Sequence, residues 1–415
     1  MSSYARRVHK YCELGDGMER WISLEAYQLL AIQTSALGNS LFPNLRSFYW
    51  PFCEDSWDFV PFLRLFIHPG LADVSIVFPD EDSNIYRLAI VSSIPTKNLT
   101  DLQLEHLGNQ DSVLDALGTL LDSAAETLRS VDLRGEVPTA IIDKLLRLRN
   151  LHLLKVCMLS AHIFPPDVAF PSLEKLTVRC GEPESWLHVL KNIPNPALRE
   201  LDISILNLSP TDLRTLAHSL LDANIKQSLI SFTCSLENAI PLTEAGLRPF
   251  LSFGKLTTLN ISAPCTAEQC GFRLEDSIIC RLAKALPRLK YFALGSIPCS
   301  AQTSNATITS LVALSAYCVD LDFLQLHFSV NDILSRDIRA SSQTQVSTCK
   351  LRTLSPGSRP LPSDQKDILL VTFAILRIFP HLEEISKPGG NWKQVEQIVE
   401  LFRMAPRIVP PPTSS

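Results

Sequence analysis

Phe170-Pro-Ser-Leu173-Glu-Lys-Leu176-Thr-Val178 sets apolar Leu176 and Val178 between polar Lys175, Thr177 and Arg179. That alternation is the period of a strand with one buried face. The phrase recurs as Pro196-Ala-Leu198-Arg-Glu-Leu201-Asp-Ile203, Leu99-Thr-Asp-Leu102-Gln-Leu104, Leu128-Arg-Ser-Val131-Asp-Leu133 and Leu256-Thr-Thr-Leu259-Asn-Ile261. It returns in Pro287-Arg-Leu289-Lys-Tyr-Phe292-Ala-Leu294, Leu321-Asp-Phe-Leu324-Gln-Leu326 and Pro380-His-Leu382-Glu-Glu-Ile385, with looser copies from Leu45, Leu71, Leu151, Leu229 and Leu351. One such phrase means little in a chain rich in leucine. Thirteen opening leucines between Leu45 and Leu382, stepping 22 to 33 residues with a mean near 28, are hard to reach by chance.

Between the phrases the apolar period changes. Leu213, Leu216, Leu220 and Leu221 follow Ser209-Pro-Thr-Asp212, which reads as an N-cap, a proline at the first helical position and an acid in the first turn. Similar stretches are Leu24–Ala36, Ser112–Ala125, Glu184–Ile193, Leu274–Leu286, Thr307–Tyr317 and Asp364–Ile378. Strand and helix in alternation at about 28 residues match leucine-rich repeats. A single unit cannot bury its own leucines, so the units must stack. The expected fold is therefore an α/β leucine-rich-repeat solenoid of irregular repeats, a curved parallel sheet inside and helices outside. The organisation expected is an N-terminal flank over 1–40, about thirteen repeats over 41–391, a cap helix over 392–405 and a disordered tail over 406–415.

Charge and composition narrow the function. A net charge of −5 offers no electrostatic reason for a nucleic-acid or anionic-membrane partner. No apolar run approaches the roughly 20 residues that span a bilayer, and Met1-Ser-Ser-Tyr-Ala-Arg-Arg is not followed by a secretory apolar stretch. An intracellular place, cytoplasmic or nuclear, is expected. The 11 cysteines contain no Cys-x-x-Cys pair and read as small buried hydrophobes.

With the repeat in view, the chain resembles the leucine-rich-repeat region of the F-box proteins abundant in mushroom-forming fungi. The residues that carry this are Tyr4-Ala-Arg-Arg-Val8, Leu41-Phe-Pro-Asn-Leu45-Arg-Ser-Phe48-Tyr-Trp50, Phe66-Ile-His-Pro-Gly-Leu71, Leu99-Thr-Asp-Leu102 and Phe170–Leu176. The resemblance spans almost the whole chain and implies a substrate-recognition part of a ubiquitin ligase. The family's F-box opens on a Leu-Pro phrase and docks on the ligase adaptor. Met1 stands about where the linker after it would be, so adaptor docking is expected only with an upstream F-box. Repeats of this type often place Asn or Cys three residues after the third leucine. Gly181, Glu136, Leu206, Pro264 and Ser329 hold those slots here and only Cys53 fits, so the usual asparagine ladder is expected to be absent.

No phosphate loop, dinucleotide turn, His-Glu-x-x-His metal pair or Gly-x-Ser-x-Gly elbow appears. Cys265 and Cys270 lack a second ligand pair, His9 and Cys12 read as a solvated helix face, and Gly389-Gly390 reads as a turn. Neither catalytic residues nor a cofactor or metal are expected, although the members of a dispersed triad need not be adjacent.

Binding is expected at the positions between the leucines. On a solenoid these point out of the inner face. They are Asp73, Asp101, Glu105 and Asp132, then Arg134, Lys155, Lys175 and Arg179, then Glu200 and Asp202. Acid beside base on such a face would orient a protein partner; the plainer alternative is that solvated strand positions must carry something polar. Tyr49, Tyr291 and Phe323 are outward aromatics expected to lie far apart in the stack.

Overall fold

The computed structural model describes residues 8–12, 24–37, 41–50, 62–63, 65–78, 84–158, 170–181, 190, 197–206, 210–222, 225–237, 242–264, 274–295, 305–330, 347–356, 361, 364–386 and 391–404. The chain divides into two compact units, Met1–Leu198 and Arg199–Ser415.

The first unit holds strands β1 (Lys10–Cys12), β2 (Ser47–Trp50), β3 (Asp73–Val77), β4 (Asp101–Glu105), β5 (Ser130–Glu136), β6 (Leu153–Met158) and β7 (Lys175–Cys180). The second holds β8 (Glu200–Ile205), β9 (Ser231–Leu236), β10 (Thr258–Ser262), β11 (Tyr291–Leu294), β12 (Phe323–Leu326), β13 (Thr353–Ser355) and β14 (Glu384–Ile385). Within each unit every strand pairs in parallel with the next in chain order. Each unit is thus a leucine-rich-repeat stack of the α/β kind.

All thirteen opening leucines keep one relation to the backbone: the strand begins two residues later. Every one of them is at most 2% exposed. Burying a leucine side chain contributes roughly 1.5–3 kcal/mol, and stacking does this once per repeat. The next alternating residues, such as Val74, Leu102, Val131, Leu154 and Leu176, are also buried and stand in register across β3 to β7. β1 was not anticipated. Its phrase begins at Val8 rather than leucine and is only three residues long. His9 and Cys12, expected on a helix face, lie beside and in this strand; the His9 ring contacts the Asn44 carbonyl at 3.1 Å.

A backbone ladder joins the repeats just ahead of the strands. Within each unit, the carbonyl of the residue after an opening leucine accepts two N–H groups from the next repeat. Arg46 accepts from Ala72 and Asp73 at 2.8 and 2.9 Å, and Ala72 from Thr100 and Asp101 at 2.8 and 3.1 Å. The pattern recurs at Thr100, Arg129, Ile230, Thr257, Lys290, Asp322 and Arg352. Side chains add a second ladder in front of the opening leucines. Asn98 donates to the Pro69 carbonyl at 2.9 Å, Thr127 to Thr96 at 3.2 Å and Asn150 to Glu126 at 2.9 Å. In the second unit the Cys318 thiol lies 3.5 Å from the Leu286 carbonyl, and the Cys349 thiol 3.4 Å from that of Cys318. Side-chain rungs therefore precede these strands, the opposite end from the usual asparagine position.

The helices are α1 (Leu24–Leu37), α2 (Asn84–Ser93), α3 (Asp111–Ser123), α4 (Thr139–Leu145), α5 (Pro210–Asp222), α6 (Glu244–Leu247), α7 (Asp276–Ala285), α8 (Ile308–Tyr317), α9 (Gln365–Ile378) and α10 (Trp392–Met404). In α3, Val113, Leu117, Leu120 and Leu121 are buried at helical spacing. Caps fix the starts of α8 and α9, where the Thr307 and Asp364 side chains accept from the N–H groups two residues on. α2, α4 and α6 are not among the helices expected from the sequence; α4 and α6, of seven and four residues, leave little period to detect. The expected helix over 184–193, apart from Leu190, and the expected tail over 406–415 lie outside the described residues, as do Cys53, Cys265, Cys270 and the Gly389-Gly390 turn.

Aromatic rings fill the first repeats. Tyr27 of α1 meets Trp50 and Phe66 edge-on, with centroids 6.4 and 6.2 Å away, and Phe48 stacks on Phe66 at 5.3 Å. In the second unit Trp392 of α10 meets Phe328 edge-on at 5.9 Å. These contacts are worth about 0.5–1.5 kcal/mol each beyond simple burial.

Candidate functional site

Alternation along the strands sends every second residue toward the helices and leaves the others on the open face of the sheet. All ten residues singled out above lie on strands. Four of them form one network. Arg134 at the end of β5 donates to the Glu105 carboxylate at 3.1 Å, and its Nε lies 3.5 Å from the Asp132 Oδ2. Lys155 of β6 reaches the same Asp132 oxygen at 3.3 Å. His106, one residue past β4, approaches the other Glu105 oxygen at 3.6 Å. Asp132 stands opposite Lys155 in register, which is why β-pairing alone brings that acid and base together.

Asp73 and Asp101 form a separate pair. They are directly opposite on β3 and β4. The Ser47 hydroxyl donates to Asp73 at 2.5 Å, and the Thr100 hydroxyl lies 2.8 Å from Asp101 and 3.3 Å from Asp73. Lys175 and Arg179 share β7, where they pair in register with Leu153 and Cys157. Glu200 and Asp202 share β8 in the second unit, opposite Ser231 and Thr233.

The structure adds a feature absent from the sequence reading. Register slips between Leu133 and Glu136, so Arg134 and Gly135 form a bulge against β6. Gly135 takes φ +112°, and His106 beside it takes φ +57°. On the other side of β5, Arg134 stands directly opposite Glu105, so register brings that pair together while the bulge interrupts only the pairing with β6. A cleft of about 230 Å³ opens at this point, lined by Arg87, His106, Arg134 and Glu136 over Leu107 and Leu133. Arg87, from α2, is 4% exposed. The glycine interrupting Leu133-Arg-Gly-Glu was the available signal, since glycine inside a strand pattern marks a bulge.

The aromatics are nearer than expected. Tyr291 and Phe323 occupy the same position in consecutive repeats, and parallel pairing stacks their rings 4.3 Å apart at an interplanar angle of 4°. The expectation that they lie apart is corrected by that register. Burial pushes the Tyr291 hydroxyl above its ordinary value. Behind them Gln325 donates to the Gly295 carbonyl at 2.8 Å.

Among the described residues no group of three or more His, Cys, Asp or Glu is placed to hold a metal ion, and no helix is long and apolar enough to cross a membrane. What the open face offers is charge and directed hydrogen bonds on strands that cannot slide.

No family model matches the chain, and no curated protein does. Among solved structures it is similar to the crystal structure of the Rad7 and Elc1 complex in yeast. The likeness has 16% identity and a TM-score of 0.40, and it covers 68% of this chain and 76% of that one.

Proposed function

We propose that this chain is a protein-binding scaffold that acts by recognition and catalyses nothing, and that its partner seats on the open face of the sheet. One observation carries the reading: the Glu105–Arg134–Asp132–Lys155 network, whose charges are presented by three adjacent strands held in fixed register. Charges so placed orient a partner and raise its association rate. The family resemblance adds a finer reading. The partner would be a protein destined for ubiquitination, captured in the cytoplasm or nucleus for a ligase whose adaptor binds an F-box. A scaffold or inhibitor with no ligase link is the second reading, and it rests on the same face. A cleft holding Arg87, His106, Arg134 and Glu136 is the place a dispersed enzyme site would occupy.

Affinity capture from the source organism's lysate tests this, with the chain as it stands and with any upstream coding segment added. Adaptor and cullin captured only by the extended bait support the ligase reading, and proteins common to both baits are candidate partners. Partners without adaptor leave the plain scaffold. Turnover of a small molecule that stops on Arg134→Ala would overturn the non-catalytic reading.

A further inference from the structure

The open face of the first unit is electrically divided. β3 and β4 carry three carboxylates, Asp73, Asp101 and Glu105; β6 and β7 carry three cations, Lys155, Lys175 and Arg179. β5 lies between them with both signs, Asp132, Arg134 and Glu136. Register fixes the order, because the row that starts at Asp73 and Asp101 runs through Ser130 and Leu153 to Lys175.

Two observations mark the acids of this face as awaiting a partner. Like charges directly opposite each other destabilise a sheet, yet Asp73 and Asp101 are so placed. Hydroxyls hold them, and among the described residues neither carboxylate has a lysine or arginine within ion-pair distance. Asp132, in the middle of the face, is 7% exposed and its Oδ1 has no donor. Buried acceptors are ordinarily satisfied.

We propose that this face takes an extended protein segment of matching two-part charge, with basic side chains over β3–β4 and acidic side chains over β6–β7. The inference rests on the reading of the open face as the binding surface and names the chemistry of what binds there. Three strand spacings of ~4.8 Å separate the two charge centres, about 14 Å, which an extended segment crosses in about four to five residues. A partner of one sign, such as a nucleic acid or an anionic membrane, meets repulsion over half of the face. A segment of reversed polarity meets it over both halves.

The test uses the full chain and two labelled synthetic peptides of identical composition. One has three lysines, a Gly-Ser spacer of about six residues and three glutamates, enough to span the ~14 Å between centres; the other alternates lysine with glutamate along its length. By fluorescence anisotropy at low salt, the block peptide is expected to bind about ten-fold more tightly than its isomer, with the difference shrinking at high salt. Asp73→Asn/Asp101→Asn abolishes the preference, and so does Lys175→Gln, while thermal unfolding shows both variants folded. Equal binding of the two peptides, or no binding of either by the folded wild-type chain, overturns the inference. Capture from lysate with wild-type and Asp73→Asn/Asp101→Asn baits separates this from the scaffold reading. Partners held equally by both baits sink the charge inference alone. No partner on either sinks the scaffold reading, and partners lost with the variant support both.

Discussion

Asp276 and Thr307 belong to consecutive repeats and share a double hydrogen bond: the Thr307 N–H reaches Oδ1 at 2.8 Å and its hydroxyl reaches Oδ2 at 2.6 Å. The hydroxyl of Ser310 adds a third contact to Oδ1 at 2.5 Å. Asp276 stands in the first turn of α7, so one carboxylate serves the N-terminal ends of α7 and α8 together. Replacing it leaves N–H groups of α8 without their acceptor. Asp276→Ala is expected to lower stability by about 2–3 kcal/mol in urea unfolding. A loss under about 0.5 kcal/mol would mean that water replaces the carboxylate at no cost.

His68 gives the first unit a dependence on pH. Its Nδ1 accepts from the Gly70 N–H at 3.0 Å, so the ring proton sits on Nε2 and a second proton would break the bond. Burial holds the imidazole below its ordinary value, against a smaller opposite pull from the Leu45 backbone. The unfolded chain therefore takes up this proton first as pH falls through about 6.5. The stability His68 contributes is complete above that pH and is lost below it. His68→Gln removes the effect, so wild type should lose more melting temperature than the variant between pH 7.5 and pH 5.5. Parallel losses in the two proteins would show that His68 is not the source.

Gly295 and Gly135 separate two costs of adding a methyl group. Both have positive φ, +124° and +112°, which side chains rarely adopt. At Gly135 a Cβ meets nothing within 4 Å, whereas at Gly295 it would come within 2.8 Å of the His327 ring. Gly135→Ala should cost about 1 kcal/mol of backbone strain alone, and Gly295→Ala about 2–3 kcal/mol. Equal losses would show that the His327 ring moves aside freely.

The two ladder thiols of the second unit, Cys318 and Cys349, should be inert. Burial pushes Cys318 up to about 12, with Cys349 adding to it, and burial raises Cys349 as well. The thiolate is the reactive form. At pH 8 neither residue should react with a thiol reagent in the folded chain, and both should in urea. Mass spectrometry of labelled peptides decides this, and native labelling of Cys318 would contradict the packing of the ladder described above.

The repeat frame was legible because one rule serves it thirteen times. A buried leucine, a turn into extended backbone and an alternating pair recur whatever lies between. The ten face residues followed from the same alternation, and register joined Asp132 to Lys155 as neighbouring repeats require. The Arg134–Glu105 contact follows from register as well, since the two stand opposite each other on β4 and β5; what alternation does not show is the bulge after Leu133 on the β6 side. Short helices, the β1 strand behind Val8 and the Tyr291–Phe323 stack were missed for related reasons. Period needs length to be visible, and ring contact needs repeats of 32 and 30 residues to be aligned by their leucines rather than by their spacing.

The doubled carbonyl ladder has an evolutionary consequence. The residues whose carbonyls form it include His9, Arg46, Ala72, Thr100, Arg129, Ile230, Lys290 and Asp322, so cations, an acid, a hydroxyl and an aliphatic all do the same job. Only the main chain takes part, and every amino acid supplies that carbonyl equally. Selection can rewrite the chemistry of the sheet's border at these sites, one substitution at a time, without disturbing the alignment of a single repeat.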